Sequence, residues 1–142
     1  NEIRAHAFAC DVLSEHSVKQ LIGQSLDALG GADLLINVAG KGYVRALGMM
    51  RVSRAFAAAA AGRPVTIANI AAATSNLQQF GYAGSKPAFR RLSDGLGGKL
   101  RAGGVTVITA DELQDKGAVE AFIARLCQSA QTLSPVVRSA SR

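Results

Sequence analysis

Short apolar runs rich in β-branched residues alternate along the chain with longer helical patterns, and this alternation strongly limits the folds open to it. The runs at 32–40, 64–70 and 103–110 read ADLLINVAG, PVTIANI and GGVTVITA. Strands separated by helices pair in parallel, and helices then cover both faces of the sheet. The pattern therefore predicts an α/β domain built on a parallel sheet.

Four segments have the apolar spacing of helices that pack on a sheet. The first follows Ser14, its predicted N-cap, and stops at Gly30 and Gly31. The others are predicted over 44–62, from Tyr82 to Leu100 and over 117–130. We expect their apolar residues to face inward: Val18, Leu21, Ile22, Leu26, Leu29, Phe89, Leu92, Leu96, Leu100, Val119, Phe122, Ile123 and Leu126.

The two ends of the chain carry further β-like segments. IRAHAFACDV (3–12) is predicted to be a strand that ends at Asp11, and SPVVRS precedes a polar, basic end. We expect residues 132–142 to fray. With 142 residues, 49% of them apolar, the chain has the size of one domain with a core, and we predict a single domain over 1–142.

Composition argues against several classes of function. The net charge is +6, but there is no run of Lys and Arg, and only 5% of residues are aromatic, which disfavours a nucleic-acid-binding surface. Two histidines, two distant cysteines and no C-x-x-C offer no metal site. No window approaches the roughly 18 apolar residues of a membrane span. We expect a cytoplasmic protein without membrane contact.

The stretch GYAGSKPAF (81–89) places Tyr82 and Lys86 four residues apart at the start of a predicted helix, and therefore on one helix face. An ammonium nearby lowers the pKa of a phenol from its usual value of about 10. Tyr82 could then donate a proton to a carbonyl or accept one from an alcohol. The alternative is a chance pair on an exposed helix, and the spacing alone leaves both open.

Polar and small residues follow each predicted strand, where open parallel sheets bind their ligands. They are Asp11, the turn at 37–40, the segment 71–75 and Asp111. Because the carboxyl ends of parallel strands meet at one edge, these positions and Tyr82 are predicted to share it.

Four motifs, CDV, GGADLLINVAG, IANIAA and YAGSK, occur in this order between predicted helices. Together they resemble the short-chain dehydrogenase/reductase family of NAD(P)-dependent oxidoreductases, from about Ile3 to Val107. The resemblance implies a Rossmann-like, doubly wound parallel sheet in three α/β/α layers. It also implies hydride transfer between a nicotinamide and a small carbonyl or alcohol substrate. The first predicted strand matches the third of the family, so the first βαβ unit is lacking.

The resemblance also implies roles for individual residues. Tyr82 matches the catalytic acid/base, and Lys86 matches the lysine that holds the nicotinamide ribose. The serine of the family falls on Ala71 and Ala72. Thr74 and Ser75 carry the nearby hydroxyls, and Ser75 is the candidate third catalytic residue. The implied cofactor-binding residues are Asp11 and Val12 at the adenine, Asn37, Ala39 and Gly40 in the turn beside the cofactor, and Tyr82 and Lys86.

Two departures keep a second hypothesis open. The chain has no glycine-rich turn for the pyrophosphate, and its serine is displaced. Without the first βαβ unit, either the predicted strand at 3–12 moves beside DLLINV or the chain is part of a longer polypeptide, which we expect. The second functional hypothesis is an inactive relic of the fold that serves as a binding or oligomerisation module. The choice between NAD and NADP stays open. Helices over 49–61 and 82–100 resemble those that pair between subunits of the family, which implies a homodimer or homotetramer.

Overall fold

The computed structural model describes residues 4–38, 42–70, 85–110, 113 and 115–133 of the chain. Helices and strands alternate as the sequence predicts. In chain order they are α1 (Glu15–Leu29), β1 (Leu34–Asn37), α2 (Gly42–Ala60), β2 (Val65–Ile70), α3 (Ser85–Leu100), a 3₁₀ turn (Arg101–Gly103), β3 (Val105–Ala110) and α4 (Lys116–Leu133).

The three strands form one parallel sheet in the order β1-β2-β3. Its register places Asn37 opposite Asn69, and Asn69 opposite Thr109, near the carboxyl ends of the strands. Three polar side chains therefore stand side by side on neighbouring strands.

Alternate strand residues face different helices, as in a three-layer domain. On one face, Val65 and Ile67 of β2 pack with Val18 of α1 and Phe56 of α2. The same face receives α3, whose Gly97 approaches Val107 so closely that an added Cβ would lie 3.1 Å from the Val107 Cβ. On the other face, Ala68, Ile70 and Ala110 pack with Phe122 and Leu126 of α4. The predicted three-layer α/β fold is confirmed.

Local signals set the ends of α1 where the sequence predicts them. Ser14 is the N-cap, and its Oγ accepts a hydrogen bond from the Ser17 amide at 3.2 Å. Gly30 is the C-cap, with φ at 73°, a left-handed conformation that glycine adopts without steric cost.

The predicted strand at 3–12 is wrong for the residues that the structure describes. Residues 4–11 form neither strand nor helix, and residues 4–9 are exposed. A strand exists only where a neighbour satisfies its backbone groups, and local sequence cannot supply that neighbour. Within the described ranges β1 pairs with β2 alone, and this segment does not move beside it.

Four predicted inward-facing side chains are instead exposed, so the apolar stripes of these helices extend past the surface that packs on the three described strands. They are Leu29 (53% exposed), Leu92 (39%), Val119 (37%) and Ile123 (51%). Val18, Ile22, Phe89, Leu96, Phe122 and Leu126 are buried as predicted. At the C-terminus, α4 reaches Leu133, and the rest of the predicted frayed end lies outside the described residues.

Candidate functional site

A row of hydrogen-bonded side chains crosses the sheet near its carboxyl edge. The Asn37 Nδ2 donates to the Asn69 Oδ1 at 2.8 Å, and the Asn69 Nδ2 donates to the Ser93 Oγ of α3 at 2.8 Å. The Ser93 Oγ lies 2.7 Å from the Thr109 Oγ1. Side-chain hydrogen bonds thus connect the three strands and α3, in addition to the backbone hydrogen bonds that join the strands.

This polar row is buried and extends at both ends. Asn69 and Ser93 are fully buried, as is Ser53 of α2, whose Oγ accepts a second hydrogen bond from the Asn37 Nδ2 at 3.0 Å. At the other end the Thr109 hydroxyl donates to the Asp94 Oδ1 at 3.2 Å. Buried polar groups with satisfied partners rigidify their surroundings. The row therefore fixes α2 and α3 against the sheet beneath the edge where ligands of such sheets bind.

Ser93 also shows where the first turns of α3 lie. As α3 passes from Ser93 to Gly97 it moves from the level of Thr109 to that of Val107, so it runs antiparallel to the strands. Lys86, seven residues before Ser93, therefore stands about 10 Å farther along the helix, beyond the carboxyl ends of the strands. The backbone of Lys86 therefore lies on the side of the sheet predicted for it.

Asp11 lies in a turn closed by its own hydrogen bonds. Its carbonyl oxygen accepts from the Ser14 amide at 3.0 Å, and its Oδ1 accepts from the Leu13 amide at 2.9 Å. The Asp11 amide in turn donates to the Ser17 Oγ in α1 at 3.0 Å. We call residues 11–14 the Asp11 turn. The predicted adenine-contacting residues Asp11 and Val12 are thus part of an ordered turn at the start of α1.

Val12 and Asn37 line the same cavity, of about 340 Å³, between the Asp11 turn, β1 and α2. Its other walls are mostly apolar: Leu21, Leu35, Ile36, Val38, Gly48, Met49, Val52 and Phe89. Apolar walls with a few placed polar groups suit a flat organic ring. The structure therefore brings together two of the predicted cofactor residues, which are 25 positions apart in the sequence.

Four predicted site residues lie outside the described residues: Ala39, Gly40, Ser75 and Tyr82. Their roles stay predictions.

Metal binding has no support in the part of the chain that the structure describes, where no group of three or more His, Cys, Asp or Glu side chains could hold an ion. Within the described ranges, no helix is both long enough and apolar enough to cross a bilayer.

Apart from Asn37, the residues of the polar row are not predicted by the sequence patterns. One signal was available, because Asn69 interrupts the otherwise apolar strand VTIANI, and a buried asparagine needs partners. Ser93 gave a weaker signal, since it lies between Phe89 and Leu96 on the buried side of α3. Neither signal identifies the partner.

Comparison with known families gives a match over most of the chain. A family model described as short chain dehydrogenase matches residues 1–113. No curated protein sequence matches the chain.

Solved structures share the fold at low sequence identity. A metagenomic short-chain oxidoreductase in complex with NADP superimposes with a TM-score of 0.67 at 21% identity, covering 87% of this chain and 67% of that one. A short chain dehydrogenase from Mycobacterium smegmatis gives 0.64 at 22% identity, covering 88% and 64%. Hydroxysteroid dehydrogenase from Escherichia coli gives 0.58 at 24% identity, covering 70% and 49%. The chain thus spans half to two thirds of the length of these structures.

Proposed function

The chain belongs to the short-chain dehydrogenase family, and from that premise we propose that it acts as an NAD(P)-dependent oxidoreductase. Hydride would pass between the nicotinamide and a carbonyl or alcohol carbon of a small molecule. The observation that carries the proposal is the cavity shared by Val12 and Asn37, because both match cofactor-contacting positions of the family.

The described residues fit one end of such a cofactor. The cavity has apolar walls that suit the adenine ring, and Asp11 precedes the cavity-lining Val12 on the adjoining turn, where its carboxylate would contact the polar edge of the ring. Asn37 would close the strand beside the cofactor, and Lys86 would hold the nicotinamide ribose. When bound, the nicotinamide supplies or accepts the hydride. Two solved structures of the same fold are described as complexes with NADP, which supports this class of cofactor and leaves NAD open.

Proton transfer is assigned to Tyr82. We expect the Lys86 ammonium to lower the pKa of the Tyr82 phenol, so that a phenolate forms closer to neutral pH. The phenol would then protonate the developing alkoxide during reduction, or the phenolate would take the alcohol proton during oxidation. Ser75 would donate a hydrogen bond to the substrate carbonyl oxygen.

A cofactor titration of the complete polypeptide tests the proposal first. Binding of NADH or NADPH should quench or shift the nicotinamide fluorescence. Tyr82→Phe should then abolish turnover while largely sparing cofactor affinity. The chain offers a matched control, because it contains just two tyrosines and Tyr43→Phe removes the other hydroxyl. Equal turnover in wild type and Tyr82→Phe would remove Tyr82 from the mechanism.

An inactive binding or oligomerisation module is the second candidate function. The displaced serine favours it, since Ala71 and Ala72 stand where the family has its hydroxyl. It requires that the complete polypeptide bind neither NADH nor NADPH. Saturable binding of either cofactor, followed by turnover of a carbonyl substrate, would exclude this candidate.

The proposal includes self-association through α2 and α3. A groove of about 420 Å³ runs between them, with Met50, Leu96 and Leu100 among its apolar residues and Leu92 39% exposed. Its cations, Arg54, Arg91 and Lys99, would repel their copies across a two-fold interface. Association should therefore strengthen as salt screens the charges.

Sedimentation velocity at two salt concentrations measures this association. Leu92→Gln should shift the equilibrium toward monomer, whereas Leu29→Gln, on the exposed end of α1, should not. A monomer at every protein and salt concentration would refute the oligomer.

We further propose a cytoplasmic location, in line with the free thiols of Cys10 and Cys127. Recovery of the protein in a secreted or membrane fraction would contradict that location.

A further inference from the structure

We propose that Arg51 is a positioning residue that holds the Asp11 turn in the shape in which it meets the adenine ring. This inference rests on the proposed function, because it needs the same cofactor. It adds a role for α2, a helix that supplies none of the predicted cofactor-contacting residues.

The described residues before the Asp11 turn, 4–10, form no strand, although Cys10 packs against the core. Residues 4–9 are exposed and belong to no strand or helix, so no ladder of backbone bonds holds the turn from its N-terminal side. Its own bonds are local: Ser14 and Leu13 donate to Asp11, and Asp11 donates to Ser17. Local bonds of this kind set the shape of a turn, but they do not fix it against the rest of the fold.

Arg51 supplies a long-range hydrogen bond that joins the turn to α2. Its Nη1 donates a hydrogen bond to the carbonyl oxygen of Leu13, 38 positions away in the chain, and lies 3.5 Å from the carbonyl oxygen of Val12. A guanidinium stays charged at any pH at which the protein folds, and its Nη1 carries two N–H groups that can meet neighbouring acceptors. Hydrogen bonds from charged donors are also stronger than neutral ones. One side chain therefore ties two consecutive carbonyls of the turn to α2.

A second contact on the same helix face sets the distance between α2 and the turn. Gly48 lies three residues before Arg51, and a Cβ built on it would stand 2.8 Å from the Val12 Cγ2. Glycine costs about 1 kcal/mol relative to alanine inside a helix, so the close approach gives a reason for its presence. Arg51 therefore contacts the Val12 carbonyl, and Gly48, one helical turn earlier, leaves the space that the Val12 side chain occupies.

These contacts have a direct consequence for the cavity. Val12, Gly48 and Asn37 line the same space, so the distance from Val12 to α2 sets the width of the cavity on one side. Losing the Arg51 bond would release the turn and leave the adenine-facing wall mobile. A ligand that binds there would then have to order the wall, which lowers its affinity.

Cofactor affinity and amide exchange in the complete polypeptide test the proposal together. Arg51→Met should raise the Kd for NADH or NADPH about tenfold, as expected for the loss of one charge-assisted hydrogen bond. The kcat at saturating cofactor should stay within about twofold, since the turn does not touch the reacting atoms. Hydrogen exchange of the Leu13 and Ser14 amides should accelerate. Arg125→Met, which removes an exposed arginine of α4 on the other face of the sheet, is the matched control and should change neither property.

Each result decides the proposal. A purely structural role would lower the urea midpoint and reduce kcat and affinity alike, so a selective rise in Kd is required. Arg51→Lys, which keeps the charge and loses the planar guanidinium, should lie between wild type and Arg51→Met. Unchanged Kd and unchanged amide exchange in Arg51→Met would overturn the inference.

If the wild-type polypeptide binds neither cofactor, the proposed function fails, and the cofactor part of this inference fails with it. The exchange rates would then still show whether Arg51 holds the turn.

Discussion

The Asn37 Nδ2 lies 2.8 Å from the Asn69 Oδ1, so these asparagines join β1 to β2 through their side chains at the position where their backbones are also in register. Asn69 accepts from one neighbour and donates to another, Ser93, which makes it the central member of the polar row. A primary amide is suited to this place because it has both an acceptor oxygen and donor hydrogens.

Asn69→Ala should destabilise the fold by about 1–3 kcal/mol, because it removes both bonds and leaves buried polar partners less satisfied. Asn69→Asp should also be unfavourable, since a carboxylate cannot donate to Ser93 and a buried charge is costly. Urea denaturation followed by circular dichroism measures the loss. Gln24→Ala, on the exposed side of α1, is the control and should stay within about 0.5 kcal/mol. Equal midpoints for wild type and Asn69→Ala would show that the polar row adds nothing to stability.

Glycine-to-alanine replacements in α1 should have opposite signs at its interior and at its end. Gly23 has open space around it, and alanine there should stabilise the helix by about 0.5–1 kcal/mol. Gly30 also has open space, but its φ is 73°, where alanine is strained, and we expect a loss of about 1 kcal/mol. Thermal unfolding of the pair isolates the backbone effect, since the added methyl group meets no neighbour in either variant. A gain at Gly30 would contradict the left-handed C-cap.

Ser14→Ala should cost about 0.5–2 kcal/mol, because the Ser17 amide loses its side-chain partner at the N-cap. Ser14→Asp should retain most of the stability, since a carboxylate also accepts the bond and favours the positive end of the helix dipole. Urea midpoints of the two variants give the comparison. Should Ser14→Ala be neutral, the cap would be unimportant and packing of Val18 and Ile22 would hold α1 alone.

The pKa of Glu15 should lie below its ordinary value of 4.5, chiefly because its carboxylate accepts a hydrogen bond from Lys19 at 2.9 Å and is attracted by that ammonium. More distant Arg51 and Arg54 act in the same direction. A carboxyl whose pKa is lowered on folding stabilises the folded state above its unfolded pKa, and this contribution disappears as the pH falls through the folded value.

A carboxyl NMR titration checks this pKa. Lys19→Gln should move the pKa of Glu15 up toward 4.5, whereas Lys19→Arg should keep it low. Both residues of the pair are exposed, so added salt should reduce the difference between the two variants. A pKa unchanged by Lys19→Gln would mean that the ion pair does not form in solution.

Elements specified by their own residues could be predicted from the sequence. Ser14 and Gly30 end α1 by local chemistry, and the apolar run of β2 requires cover on both faces, which it has. Residues 4–11 could not be placed in this way, because a strand depends on a neighbour that the segment itself does not encode. The site followed the same division. Val12 and Asn37 are predicted from a family resemblance and their roles stay predictions, whereas the bonds of Ser93 and Arg51 depend on how helices lie against distant segments.

The outer side of β1 has a consequence for how the sheet exchanges its amide protons. The Thr66 amide donates to the carbonyl of Asp33, so in a parallel ladder the backbone groups of Leu35 and Asn37 also point toward β2. Those of Leu34 and Ile36 point the other way, and both side chains are more than 40% exposed. Within one four-residue strand, exchange should therefore alternate between slow and fast from each residue to the next. A segment that pairs along that edge would slow exchange of the Leu34 and Ile36 amides and leave exchange of the Leu35 and Asn37 amides unchanged.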